Sequence, residues 1–290
     1  MSDFILEHEL SIRLTAFFAV FAIMALWEIA SPCRELRYPR TKRWLGNIGI
    51  VILNSLVLRL LFPAAAVGMA AFTTHAGWGV LNAIALPFWL SALIAVLVMD
   101  MVIYLQHVMV HAIPMLWRLH RVHHADPDYD LTTGARFHPI EIILSMLIKI
   151  ATIAALGPPV VAVVIFEVLL NGMAMFNHAN IRLPPHLDRV LRWIIVTPDM
   201  HRVHHSVEPN ETNSNFGFNL SLWDRMMGTY CQQPRLGQQG MDIGLSSFRD
   251  PQITTRLTGM LMIPFLQDKD VYSINKRSWK SDRNPGDTQP

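Results

Sequence analysis

The chain has 290 residues, 13 of them histidine. Nine of the 13 fall in a pattern: His107-x-x-x-His111, then His120-x-x-His123-His124, a single His178, and His201-x-x-His204-His205. The two triplets are near copies, Leu119-His120-Arg121-Val122-His123-His124 and Met200-His201-Arg202-Val203-His204-His205. On a helix, residues three and four apart share a face, so each triplet aims at least two imidazoles at a common point. His107 and His111 do the same, with Asp100 and Tyr104 preceding them on that face. Imidazole suits zinc, copper, iron and nickel alike. A catalytic zinc takes three protein ligands and water, so nine nitrogens suffice for two ions with positions left over. Without metal, so many adjacent rings would be repelling cations or unsatisfied buried donors.

Other histidines read differently. His8, His75 and His186 stand alone and read as interfacial or hydrogen-bonded residues. His138, in Phe137-His138-Pro139-Ile140-Glu141, suits a supporting or hairpin-anchoring role. A metal-bound histidine donates its other ring N–H to a carboxylate, carbonyl or water, and Asp100, Glu141, Asp199 and Asp224 are the candidate carboxylates. Trp117 and Trp223 read as core or interfacial aromatics.

The elements that must carry these residues are apolar. Hydrophobic residues make up 52% of the chain and charged ones 16%, where a soluble protein has about 25%. A bilayer span needs about 20 apolar residues. Leu14 to Trp27 carries no formal charge, and Leu60 to Met99 has no Asp, Glu, Lys or Arg. Spans are expected at roughly 11–30, 47–72 and 84–105, with turn-forming residues at Thr73–Gly79. A further apolar region, 142–176, is broken at Gly157-Pro158-Pro159; proline cannot continue a helix without losing a hydrogen bond, so a hairpin is expected, spanning or re-entrant. Arg59 sits inside the second expected span, where it either snorkels or meets a polar group.

The fold class expected is all-α: an integral membrane helical bundle of three to four spans plus that hairpin, with a cytosolic helical cap carrying the histidines. Its divisions are 1–83, an N-terminal transmembrane region; 84–235, the histidine-bearing catalytic domain; and 236–290, a cytosolic extension whose end, Ser278–Pro290, reads as flexible. Arg34, Arg37, Arg40, Lys42 and Arg43 in the first loop place that loop inside and the N-terminus outside. Cys33 and Cys231 then sit in a reducing compartment as free thiols. A net charge of +2 and no basic aromatic stripe exclude a dedicated nucleic-acid binder.

The motifs resemble the membrane fatty acid hydroxylase and sterol desaturase superfamily over roughly 88–231. They are the boxes above with Leu116-Trp117-Arg118, Arg136-Phe137-His138-Pro139-Ile140-Glu141, Asn177-His178-Ala179-Asn180, Thr197-Pro198-Asp199, Asn215-Phe216-Gly217 and Trp223–Tyr230. The resemblance implies a non-haem di-iron centre at the cytosolic helix ends and an O2-dependent attack on a lipid C–H bond, giving hydroxylation or desaturation. It also implies a separate electron donor of the ferredoxin, cytochrome b5 or reductase type, since no dinucleotide fingerprint or iron–sulfur cysteine set is present. Some relatives carry a histidine pair where this chain offers His178 alone, with Ala174 four residues before it. Two other functions compete: a histidine-rich metal transport or storage protein, and a metal-dependent lipid hydrolase using a metal hydroxide.

Overall fold

Proline and glycine punctuate this chain, and helices fill the intervals. The computed structural model describes residues 2–267 and 272–274; the expected flexible end at Ser278–Pro290 lies outside them. The long elements are α1 (Ser2–Ala30), α2 (Arg40–Leu61), α3 (Ala65–Ala76), a single turn α4 (Val80–Ala83), α5 (Phe88–Ala112), α6 (Pro114–His124), α7 (Pro139–Leu156) and α8 (Val160–Asn177). Shorter helices follow: α9 (Pro185–Leu191), α10 (Pro198–His204), α11 (Pro209–Thr212), α12 (Leu222–Met227), α13 (Gly237–Gly240), α14 (Pro251–Thr254) and α15 (Leu257–Met262). Among the described residues there are only isolated β-bridges and no named strand.

Five segments are long and apolar enough to cross a membrane: Glu7–Ala30, Arg40–Ala83, Phe88–Ala112, Pro139–Leu156 and Val160–Asn177. The protein is therefore an all-helical membrane bundle, with five candidate spans where three to four and a hairpin were expected. Each arm of the hairpin has 18 residues, about 27 Å of helix against a hydrocarbon core of about 30 Å. The segment expected as one span at 47–72 is not one helix. It breaks at Phe62–Ala64, where Pro63 removes an amide donor and Ala65 takes a positive φ of 43°. Arg59 is exposed in the last turn of α2, beside that break.

The bundle packs through small residues. Ala66 and Ala70 of α3, Ala95 of α5 and Ala162 of α8 are fully buried, with Ile153, Val163 and Phe166 filling the space between helices. Small side chains let membrane helices approach closely. At the far end from the histidines, Gly79 and Gly157 meet backbone to backbone with φ of 102° and 65°, and a Cβ on either would collide with the other. Within the hairpin, Lys149 Nζ bonds Glu167 Oε1 at 2.8 Å, and Arg13 of α1 lies 3.3 Å from the same carboxylate. Charges at such depth persist when paired inside the bundle.

The first loop folds onto the histidine region. Arg34 donates to the Met241 and Gln238 carbonyls, and the Asp128 carboxylate accepts from the Arg37 and Tyr38 amides at 2.9 Å each. Arg43, expected as a loop cation, is instead fully buried in the first turns of α2 and paired with Asp126 and Asp130. The 236–266 stretch also belongs to the packed structure. Met260 and Ile263 are fully buried against Ile50, Trp117 and Val122.

Candidate metal centre

The ends of α5, α7 and α8 meet α6 and α10 at one end of the bundle. Each carrier has a local reason to begin or end there. Pro114 at the first position of α6 turns the chain straight out of α5. Thr197 caps α10 by accepting from Met200 N at 3.3 Å, with Pro198 first and Asp199 in the opening turn. His178 follows the last residue of α8.

All nine boxed histidines come together, in two groups. His107, His111, His120, His124 and His204 form one; His123, His178, His201 and His205 form the other, each group holding its ligand-capable nitrogens within 4.8 Å of one another. The groups adjoin: His124 and His205 rings stack at 4.6 Å. All nine are buried, the most exposed being His107 at 7%. His8, His75 and His186 belong to neither group.

Hydrogen bonds fix how the rings face. His107 Nδ1 donates to Phe216 O at 2.8 Å, His204 Nδ1 to Ser214 O at 2.7 Å and His178 Nδ1 to Ala174 O at 2.8 Å. A carbonyl oxygen only accepts, so the Nδ1 of each carries the proton. His111 Nδ1 donates to Asn213 Oδ1 at 3.1 Å, an oxygen oriented because Asn213 Nδ2 donates to Pro209 O and Tyr272 O. His120 Nδ1 donates to Glu141 Oε1 at 2.6 Å. The Nε2 atoms of His107, His111, His120, His124 and His204 are buried with no partner. In the second group, His178 Nε2 lies 3.2 Å from His123 Nε2 and 3.1 Å from His201 Nε2.

These lone pairs fit a metal ion. Buried polar atoms are almost always partnered, and here five orphans converge in one volume. Ligands about 2.1 Å from a shared tetrahedral ion are about 3.4 Å apart, near the separations around His178. Six of the rings are also held neutral, as ligands must be. Burial, before any neighbour, pushes His123, His124, His201 and His205 well below the ordinary histidine range. The same cause takes His178 and His204 down to about 3.

Of the expected supporting residues, Glu141 touches a boxed histidine. Asp224 works one step away, accepting from the Phe216 and Gly217 amides at 2.7 and 2.8 Å and so fixing the loop whose carbonyl receives His107. Asp100 accepts from Trp223 Nε1 at 2.8 Å and Leu220 N at 3.2 Å. Asp199 pairs with Arg202 at 2.6 Å. His138 caps α7, accepting from Ile140 N at 3.2 Å, and bonds the Leu261 backbone. The last three serve packing and hairpin anchoring through partners other than a boxed histidine. Trp117 and Trp223 are buried core aromatics, and both cysteines are free.

Spacing alone missed two features. One is the carbonyl ledge of Ser214 and Phe216, whose trace in sequence is Asn215-Phe216-Gly217; Asn215 takes a positive φ of 51°. The other is the buried charge network behind His178. Arg43 binds Asp126 with two bonds of 2.9 Å and Asp130 at 2.5 Å, while Thr133 donates to Asp126 at 2.8 Å. Burial would raise Asp126, but Arg43 and Arg136 overcome it and hold the carboxyl down at about 2. Next to Thr133, Gly134 lies so close to α8 that a Cβ would meet Ala174 O and His178 Nδ1. The visible trace is Asp126-Pro127-Asp128-Tyr129-Asp130, one residue after the histidine pair.

Comparison with known proteins agrees with this site. Residues 92–229, which hold all nine histidines, match the fatty acid hydroxylase family. That match places residues 92–229, just under half of the chain, with that family. Relatives of this region include alkylglycerol monooxygenase of Xenopus tropicalis, 32% identical over 52% of this chain and 32% of its own. Ornithine lipid hydroxylase OlsE of Rhizobium tropici is 28% identical over 55% of this chain and 47% of its own. Cholesterol 25-hydroxylase of Rattus norvegicus is 24% identical over 47% of this chain and 45% of its own. The chain thus spans less than half the length of these relatives. No solved structure matches it.

Proposed function

We propose that this protein is an oxidoreductase that uses O2 to hydroxylate or desaturate a membrane lipid at a di-iron centre held by the nine boxed histidines. The observation that carries this is the set of five partnerless Nε2 atoms gathered in one buried volume. His107, His111, His120, His124 and His204 would hold one ion, and His123, His178, His201 and His205 the other. When bound, the irons supply the one-electron chemistry of oxygen activation that no side chain here can perform. The protein's own part is orientation, charge and dryness. Nδ1–H bonds to Phe216, Ser214 and Ala174 carbonyls lock three rings with Nε2 inward. The Glu141 carboxylate makes His120 a stronger donor to metal. Burial of all nine rings keeps bulk water from quenching a reactive oxidant.

The substrate class follows from setting and kinship. The groups sit at the ends of candidate spans, and the relatives are named for alkylglycerol, an ornithine lipid and cholesterol. Electrons come from a separate donor of the ferredoxin, cytochrome b5 or reductase type. The first loop and the histidine region pack together, which puts them on one side of the bilayer; the proposed side is the cytoplasm, with the N-terminus outside. Residues 84–235 form the catalytic unit, 1–83 the N-terminal membrane region and 236–290 the C-terminal extension.

The deciding experiment labels oxygen. Membranes containing the protein, given 18O2 and reductant, should yield a lipid product carrying one 18O, or an alkene with oxygen consumed. Product bearing oxygen from water only would replace this reading with a metal-dependent hydrolase. Bound metal with no oxygen uptake would leave a metal-binding or transport protein.

A further inference from the structure

Four aromatic rings pack against the histidine groups. Trp117, Tyr129 and Phe216 are buried at 4%, 2% and 1% exposure. The fourth, Phe137, is half-buried. Its ring stacks on His123 at 4.6 Å and 11°, and faces His120 at 6.1 Å and 28°. His123 and His120 belong to different groups, so Phe137 covers the seam between them.

The surroundings of Phe137 are apolar on the open side. Ile140, in the first turn of α7, is 48% exposed, and Phe265, whose ring lies 6.3 Å from His138, is 62% exposed. Met262 beside it is 54% exposed. Clustered exposed apolar residues mark a lipid or ligand contact. These three lie where α7 leaves the histidine region for the bilayer. The backbone here is held: Asn54 of α2 donates to Phe137 O at 2.9 Å, and His138 caps α7. A fixed backbone with a half-open ring leaves side-chain rotation as the motion that uncovers the seam.

We propose that Phe137 is the gate through which a hydrocarbon chain reaches the two histidine groups from the bilayer, with Ile140, Met262 and Phe265 as its lipid-facing approach. This rests on the metal-centre reading above. The ring's stacking on both groups makes Phe137 the last side chain such a lipid meets before the histidines, and its volume sets how far the chain advances.

The test uses the full-length protein in detergent micelles, loaded with Fe(II), and follows metal removal. One chelator, 1,10-phenanthroline, partitions into the micelle; the other, bathophenanthroline disulfonate, stays in water. Phe137→Ala should speed removal by phenanthroline about tenfold and leave the sulfonated chelator's rate unchanged. Phe137→Trp, which refills the opening, should strip more slowly than the unaltered protein and guards against a folding defect in the alanine variant. Equal rates in all three proteins at equal iron content would overturn the gate while leaving the metal centre standing. Faster removal by both chelators would place the opening toward water and overturn the lipid route. An unaltered protein that retains no iron would overturn the metal reading, and the gate with it.

Discussion

His123 and His204 hold the same place in two near-copied triplets, and each imidazole joins the group built mainly around the other triplet. In His120-x-x-His123-His124 the i and i+4 rings face one group and the i+3 ring crosses; in His201-x-x-His204-His205 the pattern is reciprocal. Helix geometry accounts for this. Positions i and i+4 differ by about 40° around the axis, whereas i+3 and i+4 differ by about 100°. Each triplet therefore contributes rings to both groups and ties them together.

This exchange predicts separable losses of metal. His123→Ala should weaken the ion of the second group and His204→Ala that of the first. Each variant should lower bound iron in part, and the double variant should lower it nearly completely, while His75→Ala should change nothing. Elemental analysis of purified protein checks all four, and full metal retention in the double variant would refute the ligand assignment.

Glu141 offers a test without touching a ligand. Its carboxylate receives His120 Nδ1–H, and loss of such a partner costs about 10–100-fold in metal affinity. Glu141→Ala should fall in that range and Glu141→Gln, which keeps an acceptor oxygen, should fall short of it. Competition titration with a metal indicator measures both.

The pH dependence of the metal-free protein follows from the buried rings. His178 and His204 are pushed by burial down to about 3, below the unfolded value of about 6.5. Depressed groups stabilise the fold above the unfolded pKa, and that contribution is lost as pH falls from about 6.5 toward about 3. Asp224 acts oppositely: burial pushes it up to about 6, so its contribution is full below about 4 and lost as pH rises through about 6. Histidines outnumber it, so the melting temperature of metal-free protein should fall on acidification below about 6.5. Thermal unfolding across a pH series reads this, and a melting temperature that rises steadily on acidification would contradict it.

Arg43 predicts a structural effect at a distance from the rings. Arg43→Met removes the cation shared by Asp126 and Asp130, both fully buried, and breaking a buried pair costs about 3–5 kcal/mol. Arg43→Lys should recover only part, since an ammonium lacks the guanidinium's two-pronged geometry toward Asp126. Unfolding monitored by circular dichroism in detergent compares the three proteins.

The sequence by itself determined which residues form the centre. Histidine spacing of three and four groups rings along a helix whatever surrounds it, so eight of the nine ring positions, the membrane setting and the break at Gly157-Pro158-Pro159 follow from local rules, while the lone His178 has no such spacing. What local rules leave open is the destination of each ring. Only the packing of α5, α6 and α10 assigns His123 and His204 to opposite groups, because a 100° offset within one triplet has meaning only against a neighbouring helix. The Arg43 network and the Ser214–Phe216 ledge likewise belong to the tertiary structure. A backbone carbonyl carries no residue identity, and an arginine in a basic loop looks the same in sequence whether it faces water or two buried aspartates. Glu141 shows the boundary between the two: its place beside a proline-started helix is local, but its bond to His120 exists only because α6 and α7 meet.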